Sequence, residues 1–224
     1  MRSVGVVLMV AFASVAALAQ ETVSFATQDG GVVFADRYGR GARGVVLAHG
    51  GQFNKESWKP QARALVDAGF HVLAIDFRGY GKSHGPGDRD VLSAPLYLDV
   101  LAAVRYLREN GAKTVAVVGG SLGGWAAGDA SIVAERGTID RLVLLGAAPN
   151  RPADGLKSAV LFIVAKEDSN GAGLRLPGIR AQHEKAPEPK KLVIVEGSAH
   201  AQFLFQTEQG GRVMGEILRF LAAE

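Results

Sequence analysis

Hydrophobic and polar positions alternate along this chain in short apolar runs and longer amphipathic stretches. Four runs, VVLA, VLAI, VAVV and LVLL, contain no polar residue, which is typical of strands covered on both faces of a sheet. Between such runs, apolar residues recur at helical spacing, most clearly over Ala94–Glu109,. This alternation predicts a parallel sheet with helices on both faces, the α/β class.

The same pattern predicts eight strands and four helices. The predicted strands are Thr22–Thr27, Val32–Ala35, Gly44–Ala48, His71–Ile75, Thr114–Val118, Arg141–Leu145, Ala159–Ala165 and Lys191–Val195. The predicted helices are Ser57–Ala68, Ala94–Glu109, Ser121–Glu135 and Thr207–Leu221. The first two strands, joined by Gln28-Asp29-Gly30-Gly31, predict a hairpin that forms an antiparallel edge. The irregular segment Ser169–Pro189, which contains Arg175 and Arg180, is predicted to be a solvated loop, with contacts to a substrate as the alternative.

Composition narrows the classes of function. Hydrophobic residues make up 48% and charged residues 21% of the 224 residues, which excludes a disordered chain. The formal net charge is +3 with no run of like charges, so no nucleic-acid partner is expected. The absence of cysteine excludes disulfides, thiolate metal sites and a cysteine nucleophile,. We find no motif for a metal or a cofactor, and expect neither.

The N-terminal residues predict an export signal. Arg2 precedes an uncharged stretch from Val4 to Leu18, which ends in Ala17-Leu18-Ala19. A positive start, a short apolar region and an A-x-A site are typical of a secretory signal peptide. We expect cleavage after Ala19, one domain over residues 20–224, and export to the periplasm or the medium without later membrane attachment. An uncleaved membrane anchor is the alternative, although the stretch is short for a spanning helix.

One motif carries the chemistry. The strand Thr114–Val118 leads into Gly119-Gly120-Ser121-Leu122-Gly123-Gly124, and an alanine-rich helix follows. This is G-x-S-x-G between a strand and a helix, the setting in which the serine is a nucleophile. Glycine is expected to be required at positions 119 and 123, because the strand and the helix nearly touch there and leave no room for side chains. A glycine-rich tight turn is the structural alternative.

Together with two further motifs, this pattern resembles the α/β-hydrolase fold superfamily. Ala48-His49-Gly50-Gly51 follows the third strand and DFRGYGKS, residues 76–83, follows the fourth. The resemblance extends over Thr22–Glu224 and implies a mostly parallel eight-stranded sheet with helices on both faces. Many members insert a helical cap between the sixth and seventh strands, where this chain has only the thirteen residues Gly146–Ser158. It therefore resembles compact members without a cap domain, such as dienelactone hydrolases and small carboxylesterases.

The resemblance also implies the partners of Ser121. His200 follows the last strand, where the family carries its catalytic base, and Asp168 ends the seventh strand, where the family carries the carboxylate that orients the base,. Glu167 and Asp154 are the alternative carboxylates. The oxyanion hole is expected to use the backbone N–H of Leu122 and that of Gly51, with Gln52 as the alternative to Gly51.

These residues predict a serine hydrolase that cleaves small carboxylic esters through an acyl-enzyme on Ser121. A thioesterase, an amidase or an acyltransferase would use the same triad, and a secreted binding module on a hydrolase scaffold is the non-enzymatic alternative. The expected partner is a small-molecule ester. Trp58 and Trp125 are assigned equally to the substrate pocket and to packing. Phe203 and Phe205 are expected to lie buried under the last helix, and a place in the wall of the acyl site is the alternative.

Overall fold

The computed structural model describes residues 20–223, so the predicted signal peptide lies outside the described residues. These residues form ten strands: β1 (Glu21–Ala26), β2 (Val32–Tyr38), β3 (Arg43–Ala48), β4 (His71–Ile75), β5 (Thr114–Gly120), β6 (Arg141–Leu145), β7 (Ala159–Ala165), β8 (Ser169–Asn170), β9 (Gly173–Leu174) and β10 (Lys190–Val195). Eight of them build one sheet in the order β1-β2-β4-β3-β5-β6-β7-β10. Within this sheet the β1–β2 and β2–β4 pairs are antiparallel and the other pairs are parallel. The predicted mostly parallel eight-stranded sheet with an antiparallel edge is confirmed.

Five helices flank this sheet: α1 (Lys59–Asp67), α2 (Tyr97–Glu109), α3 (Leu122–Val133), α4 (Leu176–Lys185) and α5 (Gly210–Ala222). Buried residues of α1 and α5 pack against one face, and those of α2, α3 and α4 pack against the other. Helices on both faces are therefore confirmed. No helix within residues 20–223 is long and apolar enough to cross a membrane.

The strands bury both of their faces, as their uninterrupted apolar runs predict. On β3, Val45 and Leu47 pack towards α1 and α5, whereas Val46 and Ala48 pack towards α2 and α3. All four side chains are almost fully buried, and burial of a Val or Leu side chain contributes about 1.5–3 kcal/mol. The well-packed core therefore fixes the carboxyl ends of these strands, which lead into the motifs around His49 and Ser121.

The prediction that Ser169–Pro189 is a solvated loop is wrong. The segment forms the small β8–β9 hairpin and then α4. Of the α4 side chains only Ile179 is buried, and it joins the core on the α2 and α3 face. One buried position in ten residues gives no amphipathic period, so this helix depends on tertiary packing rather than on a sequence pattern.

A buried arginine anchors the DFRGYGKS segment. The Arg78 guanidinium is fully buried and donates to Asp99 on α2 (Nη2–Oδ1, 2.6 Å) and to Asp29 in the β1–β2 turn (Nη1–Oδ2, 2.5 Å). It also donates to the Pro86 carbonyl at 2.9 Å. The hydrogen bond from Arg78 lowers the pKa of Asp29 to about 2. Charged and fully paired, this side chain joins the edge hairpin, the loop after β4 and α2.

Within the part of the chain that the structure describes, no cap domain covers the carboxyl end of the sheet. The thirteen residues between β6 and β7 contain one 3₁₀ turn, Ala153–Gly155, and no longer element. The segment packs down against α3 and α4 instead of rising above the sheet edge: Arg151 N–H donates to Asp129 on α3, and Ala153 N–H donates to Gln182 on α4. The expected absence of a cap is confirmed.

His71 makes the stability of the fold depend on pH. It begins β4 with 1% of its surface exposed, and neither ring nitrogen has a hydrogen-bond partner among the described residues. Burial lowers its pKa, and the positive charges of Arg37 and Arg40 lower it further. The folded state therefore resists protonation of His71, and stability falls as the pH drops below about 6.5, the ordinary histidine pKa.

We predict that His71→Leu raises the thermal midpoint, because it removes a buried polar group without a partner. The gain should be larger near pH 5 than near pH 8, since acidification lowers the stability of the protein with the buried histidine but not through this position in the variant. Thermal unfolding of both proteins across this range tests the difference. An equal gain at both pH values would contradict the assignment of the neutral form to His71.

Candidate active site

Ser121 lies at a sharp turn between β5 and α3. Its backbone has φ 50° and ψ −114°, a left-handed conformation that L residues rarely adopt,. The Ser121 N–H donates to the Leu145 carbonyl at 3.0 Å, which ties the turn to the end of β6. This geometry lifts the hydroxyl out of the sheet at the N-terminus of a helix, where free N–H groups favour negative charge.

Glycines make this turn sterically feasible. A Cβ on Gly119 would collide with the backbone of Gly123, and a Cβ on Gly123 would collide with the carbonyl of Ala48 at the end of β3. A Cβ on Gly124 would lie 2.6 Å from the Ala147 side chain. Glycine at position 119 therefore avoids a clash with the helix, as expected from the sequence. Glycine at position 123 avoids a clash with the neighbouring strand β3 rather than with β5.

Ser121, His200 and Asp168 form one hydrogen-bonded chain. His200 Nε2 lies 2.8 Å from Ser121 Oγ, and His200 Nδ1 lies 2.8 Å from Asp168 Oδ2. The carboxylate fixes Nδ1 as the protonated nitrogen, which leaves the Nε2 lone pair facing the hydroxyl. Asp168 is fully buried, whereas 27% of the His200 side chain is exposed. The alternative carboxylates, Glu167 and Asp154, are exposed and do not contact His200.

Two residues border the His200–Asp168 pair: Gly146, which the sequence analysis did not single out, and Arg175, whose contact with Asp168 it did not predict. Gly146 follows β6 with φ 58°, and a Cβ there would lie 2.9 Å from Asp168 Oδ2 and 3.0 Å from His200 Nδ1. Arg175 Nε lies 3.3 Å from the other carboxylate oxygen, Oδ1, at an angle that makes an ion pair rather than a hydrogen bond. The Arg175 N–H also donates to the Asp168 carbonyl at 2.8 Å, which closes the β8–β9 hairpin.

The expected oxyanion donors lie next to Ser121. A Cβ on Gly50 would lie 3.5 Å from Ser121 Cβ, and a Cβ on Gly51 would lie 3.9 Å from the Leu122 side chain. Within residues 20–223 neither the Gly51 N–H nor the Leu122 N–H has an acceptor. The Gly51 nitrogen is bonded to Gly50, which lies near Ser121, so Gly51 stays the expected second donor and Gln52 its alternative.

Hydrogen bonds hold the Gly50–Gly51 loop from several sides. The Gly50 N–H donates to Gln202 Oε1 at 2.7 Å, and the Gly50 carbonyl accepts from His49 Nδ1 at 2.8 Å. Tyr80 donates its hydroxyl to the Gly51 carbonyl at 2.9 Å. With these bonds made, the Gly51 N–H is left free to face a ligand on Ser121.

His49 supports this loop as a neutral imidazole. Its ring is fully buried, and burial is the main cause that lowers its pKa. Its Nε2 accepts from the Phe77 N–H at 3.3 Å, so Nδ1 carries the proton that is donated to the Gly50 carbonyl. His49 thus positions the loop, and its side chain takes no part in the Ser121 chain.

Gln202 joins the histidine loop to the Gly50–Gly51 loop. Its side chain is buried and packs over Gly120, while Nε2 donates to Ser57 Oγ at 2.9 Å. Ala201, between His200 and Gln202, has φ 50°. No motif in the sequence marks Gln202, because a polar residue two positions after a histidine resembles any surface residue until its burial is known.

The aromatic residues divide between packing and the site mouth. Trp58 is fully buried and packs edge-on against Phe205, whereas Trp125 is partly exposed and borders the clefts beside Ser121. Phe203 is 37% exposed and pairs with Phe53, with 4.9 Å between ring centroids. The expectation that Phe203 lies buried under the last helix is therefore wrong, since its ring leans towards the Gly50–Gly51 loop.

No group of three or more His, Asp or Glu side chains in the described part of the chain could hold a metal ion. The arrangement instead supplies a serine hydroxyl, a base that accepts its proton, a carboxylate that orients the base, and two free backbone N–H groups. This combination suits nucleophilic attack on a carbonyl carbon.

Comparison with known proteins agrees with the fold. A family model described as alpha/beta hydrolase fold matches residues 44–188, which is more than half of the chain. The chain belongs to the α/β-hydrolase fold family. Among curated relatives, a non-heme chloroperoxidase of Streptomyces lividans is 30% identical over 154 residues, which cover 67% of this chain and 49% of that protein. The chain thus spans about half the length of this relative.

Solved structures of this family superpose on most of the chain. An esterase of Pyrococcus furiosus, Pf2001, has a TM-score of 0.73 at 18% identity and covers 92% of this chain and 94% of its own. A dienelactone hydrolase of Anabaena variabilis has a TM-score of 0.69 at 22% identity, with coverage of 91% and 96%. The expected resemblance to compact hydrolases of these two kinds is confirmed at the level of the fold.

The backbone of Ser121 leads to a stability prediction. Ser121→Ala keeps a Cβ in the strained conformation, whereas glycine adopts φ 50° and ψ −114° freely. We expect Ser121→Gly to be about 1 kcal/mol more stable than Ser121→Ala, a rise of about 2–4 °C in the thermal midpoint for a domain of this size.

Thermal unfolding of the two variants measures this difference. Ala126→Gly, in the regular part of α3, is the control and should lower the midpoint, because glycine destabilises a helix interior. A midpoint of Ser121→Gly at or below that of Ser121→Ala would show that the turn is not strained.

Proposed function

We propose that this protein is a serine hydrolase that cleaves small carboxylic esters through an acyl-enzyme on Ser121. The observation that carries the proposal is the unbroken chain from Ser121 Oγ through His200 to the buried Asp168, with 2.8 Å at both links. Membership of the α/β-hydrolase fold family and the fold-level likeness to an esterase support the same reaction class.

The reaction follows from these distances. Ser121 Oγ attacks the ester carbonyl carbon while His200 Nε2 takes the hydroxyl proton, and the imidazolium that forms is stabilised by Asp168. The carbonyl oxygen becomes an oxyanion, which we expect the N–H groups of Gly51 and Leu122 to bind. Collapse of this intermediate breaks the bond to the alcohol, which leaves with the proton from His200. Water then attacks the acyl-enzyme by the same route and releases the carboxylic acid.

The open site favours short acyl chains. The segment between β6 and β7 builds no cap, and the exposed Phe203 ring pairs with the half-buried Phe53 near the Gly50–Gly51 loop. The cleft that Leu122 and Trp125 help to line is small, about 40 Å³. A long acyl chain on Ser121 would therefore remain largely in solvent, whereas a short one has little apolar surface to bury.

Acyl transfer to hydrogen peroxide is a second candidate. The similarity to a non-heme chloroperoxidase favours it, and an open acyl-enzyme is accessible to small nucleophiles other than water. Attack by peroxide on the acyl-enzyme would release a peracid and regenerate Ser121. Peracid formed from acetate and peroxide, detected through oxidation of a halide and lost in Ser121→Ala, would establish this activity.

The test of the proposed function is the initial rate of the purified protein on p-nitrophenyl acetate, butyrate, octanoate and dodecanoate. We expect the highest kcat/KM on acetate or butyrate and no enzymatic rate in Ser121→Ala, because that variant lacks the nucleophile. Labelling of Ser121 by an organophosphonate, located by mass spectrometry, checks activation of the serine independently of the substrate. No turnover and no labelling would favour a binding module instead.

We further predict that Gln202 positions the oxyanion loop. Gln202→Met keeps the side-chain length but leaves the Gly50 N–H without an acceptor. We expect kcat/KM to fall by about tenfold, less than the about 10²–10³ in kcat that loss of an oxyanion donor costs. The affinity of a trifluoromethyl ketone, whose adduct carries an oxyanion in the same place, should fall in parallel, while thermal stability changes little by comparison.

Ser57→Ala is the matched control, because it removes the partner of Gln202 Nε2 and keeps the bond to Gly50. It also removes a hydrogen bond from the Ser57 hydroxyl to the Asn54 carbonyl, which lies outside the Gly50–Gly51 loop. Its kcat/KM should stay within about threefold of the parent, a change of less than 1 kcal/mol. Equal losses in the two variants, or an unchanged inhibitor affinity in Gln202→Met, would contradict the positioning role.

A further inference from the structure

A second cleft lies beside the triad, on the side of Asp168. It has a volume of about 380 Å³ and runs between Trp125, the segment Gly146–Asn150 after β6, and the segment Asn170–Arg175 that leads into α4. We call it the Arg175 cleft. This volume is at the lower end of the range for small-molecule sites. It adjoins the reacting groups, because Trp125 N–H bonds to the Ser121 carbonyl and Gly146 abuts His200 and Asp168.

Arg175 is the only charged residue among the described residues that line this cleft. The other polar side chains in the lining are amides, those of Asn150, Asn170 and Gln182. The lining contains no carboxylate, and the one carboxylate paired with the guanidinium, that of Asp168, lies behind the lining on the Nε side. The cleft also includes Gly178 in the first turn of α4, where the positive end of the helix dipole adds to that charge,.

Two nitrogens of the Arg175 guanidinium are available to donate hydrogen bonds to a ligand. Its Nε faces Asp168 Oδ1 at 3.3 Å, and the side chain is 22% exposed. Within residues 20–223 neither Nη1 nor Nη2 has a hydrogen-bond partner. A guanidinium stays charged at any physiological pH and presents its two outer N–H groups as a fork that matches the two oxygens of a carboxylate.

We propose that the Arg175 cleft binds a carboxylate group of the substrate, so that the ester cleaved at Ser121 belongs to a small acidic molecule. This inference rests on the proposed function for the reaction and adds the substrate class. The pairing with Asp168 holds the guanidinium in place through Nε and leaves the Nη edge for the ligand. The carboxylate binds equally in the ground state and the transition state, so it should lower KM more than it raises kcat.

The experiment compares charged esters with neutral esters of the same shape. Mono-p-nitrophenyl glutarate against p-nitrophenyl pentanoate places the carboxylate in the acyl half. The comparison of acetoxyphenylacetate with its methyl ester places the carboxylate in the leaving group. After subtraction of spontaneous hydrolysis, we expect kcat/KM for one charged ester to exceed that of its neutral partner by about tenfold, the effect of about 1.4 kcal/mol.

Variants of Arg175 test the source of this preference. Because Arg175 touches Asp168, a variant can change the rate on both esters, so the measured quantity is the ratio of charged to neutral kcat/KM. The ratio should fall to about one in Arg175→Met and take an intermediate value in Arg175→Lys, which keeps the charge without the fork. No preference in either pair, or a preference that survives in Arg175→Met, would overturn the proposal.

A binding measurement separates this proposal from the proposed function. Calorimetric titration of Ser121→Ala with glutarate requires no turnover, and we expect weak binding that Arg175→Met in the same background reduces by about tenfold. Binding without ester turnover in the parent would retain the cleft and refute the hydrolase. Ester turnover without Arg175-dependent binding or preference would retain the hydrolase and refute the carboxylate site.

Discussion

The close approach of three backbone segments at Ser121 is the constraint on which the rest of the site depends. The end of β3, the end of β5 and the first turn of α3 lie so near one another that side chains at Gly119 and Gly123 would collide with main chain. Ser121 then adopts a positive φ, which directs its hydroxyl away from the sheet. The His200 loop, the Gly50–Gly51 loop and Asp168 are each arranged around that one atom. Burial of the parallel strands supplies the rigidity that holds the strained turn.

Buried polar side chains form a second level of organisation above the apolar core. Arg78, His49 and Gln202 are each buried and hydrogen-bonded, and each joins loops that are distant in sequence. Hydrogen bonds in such surroundings are strong, and their loss is costly because a partner remains unsatisfied. The loops at the carboxyl edge of the sheet therefore have defined positions without being covered by another domain. In this fold the apolar core determines the positions of the strands, and the buried polar side chains determine the positions of the loops.

The sequence predicted most of the sheet because strands buried on both faces leave uninterrupted apolar runs, as in VVLA and VLAI. Ser121, His200 and Asp168 were identified because the glycine motif and the order of the three residues resemble a family pattern, and the structure brings them together. Helix α4 was missed because Ile179 is its only buried residue, and Phe203 was misplaced because its pairing with Phe53 depends on a loop position. The contacts of Gln202, Gly146 and Arg175 with the site join segments far apart in the chain, which no local pattern encodes.

The short segment between β6 and β7 can change in length without moving the reacting groups of the site. Both ends are anchored independently of its length: the Gly146 N–H donates to the Ile163 carbonyl at the sheet, and the Ser158 hydroxyl donates to the Ile139 carbonyl. Insertions between such anchored ends cost little loop entropy, since each doubling of length costs only about 0.6 kcal/mol. Residues added there would cover the Arg175 cleft without displacing Ser121 or His200. A chain of this design can thus acquire a new substrate range by lengthening one loop, while the reacting groups stay where the sheet holds them.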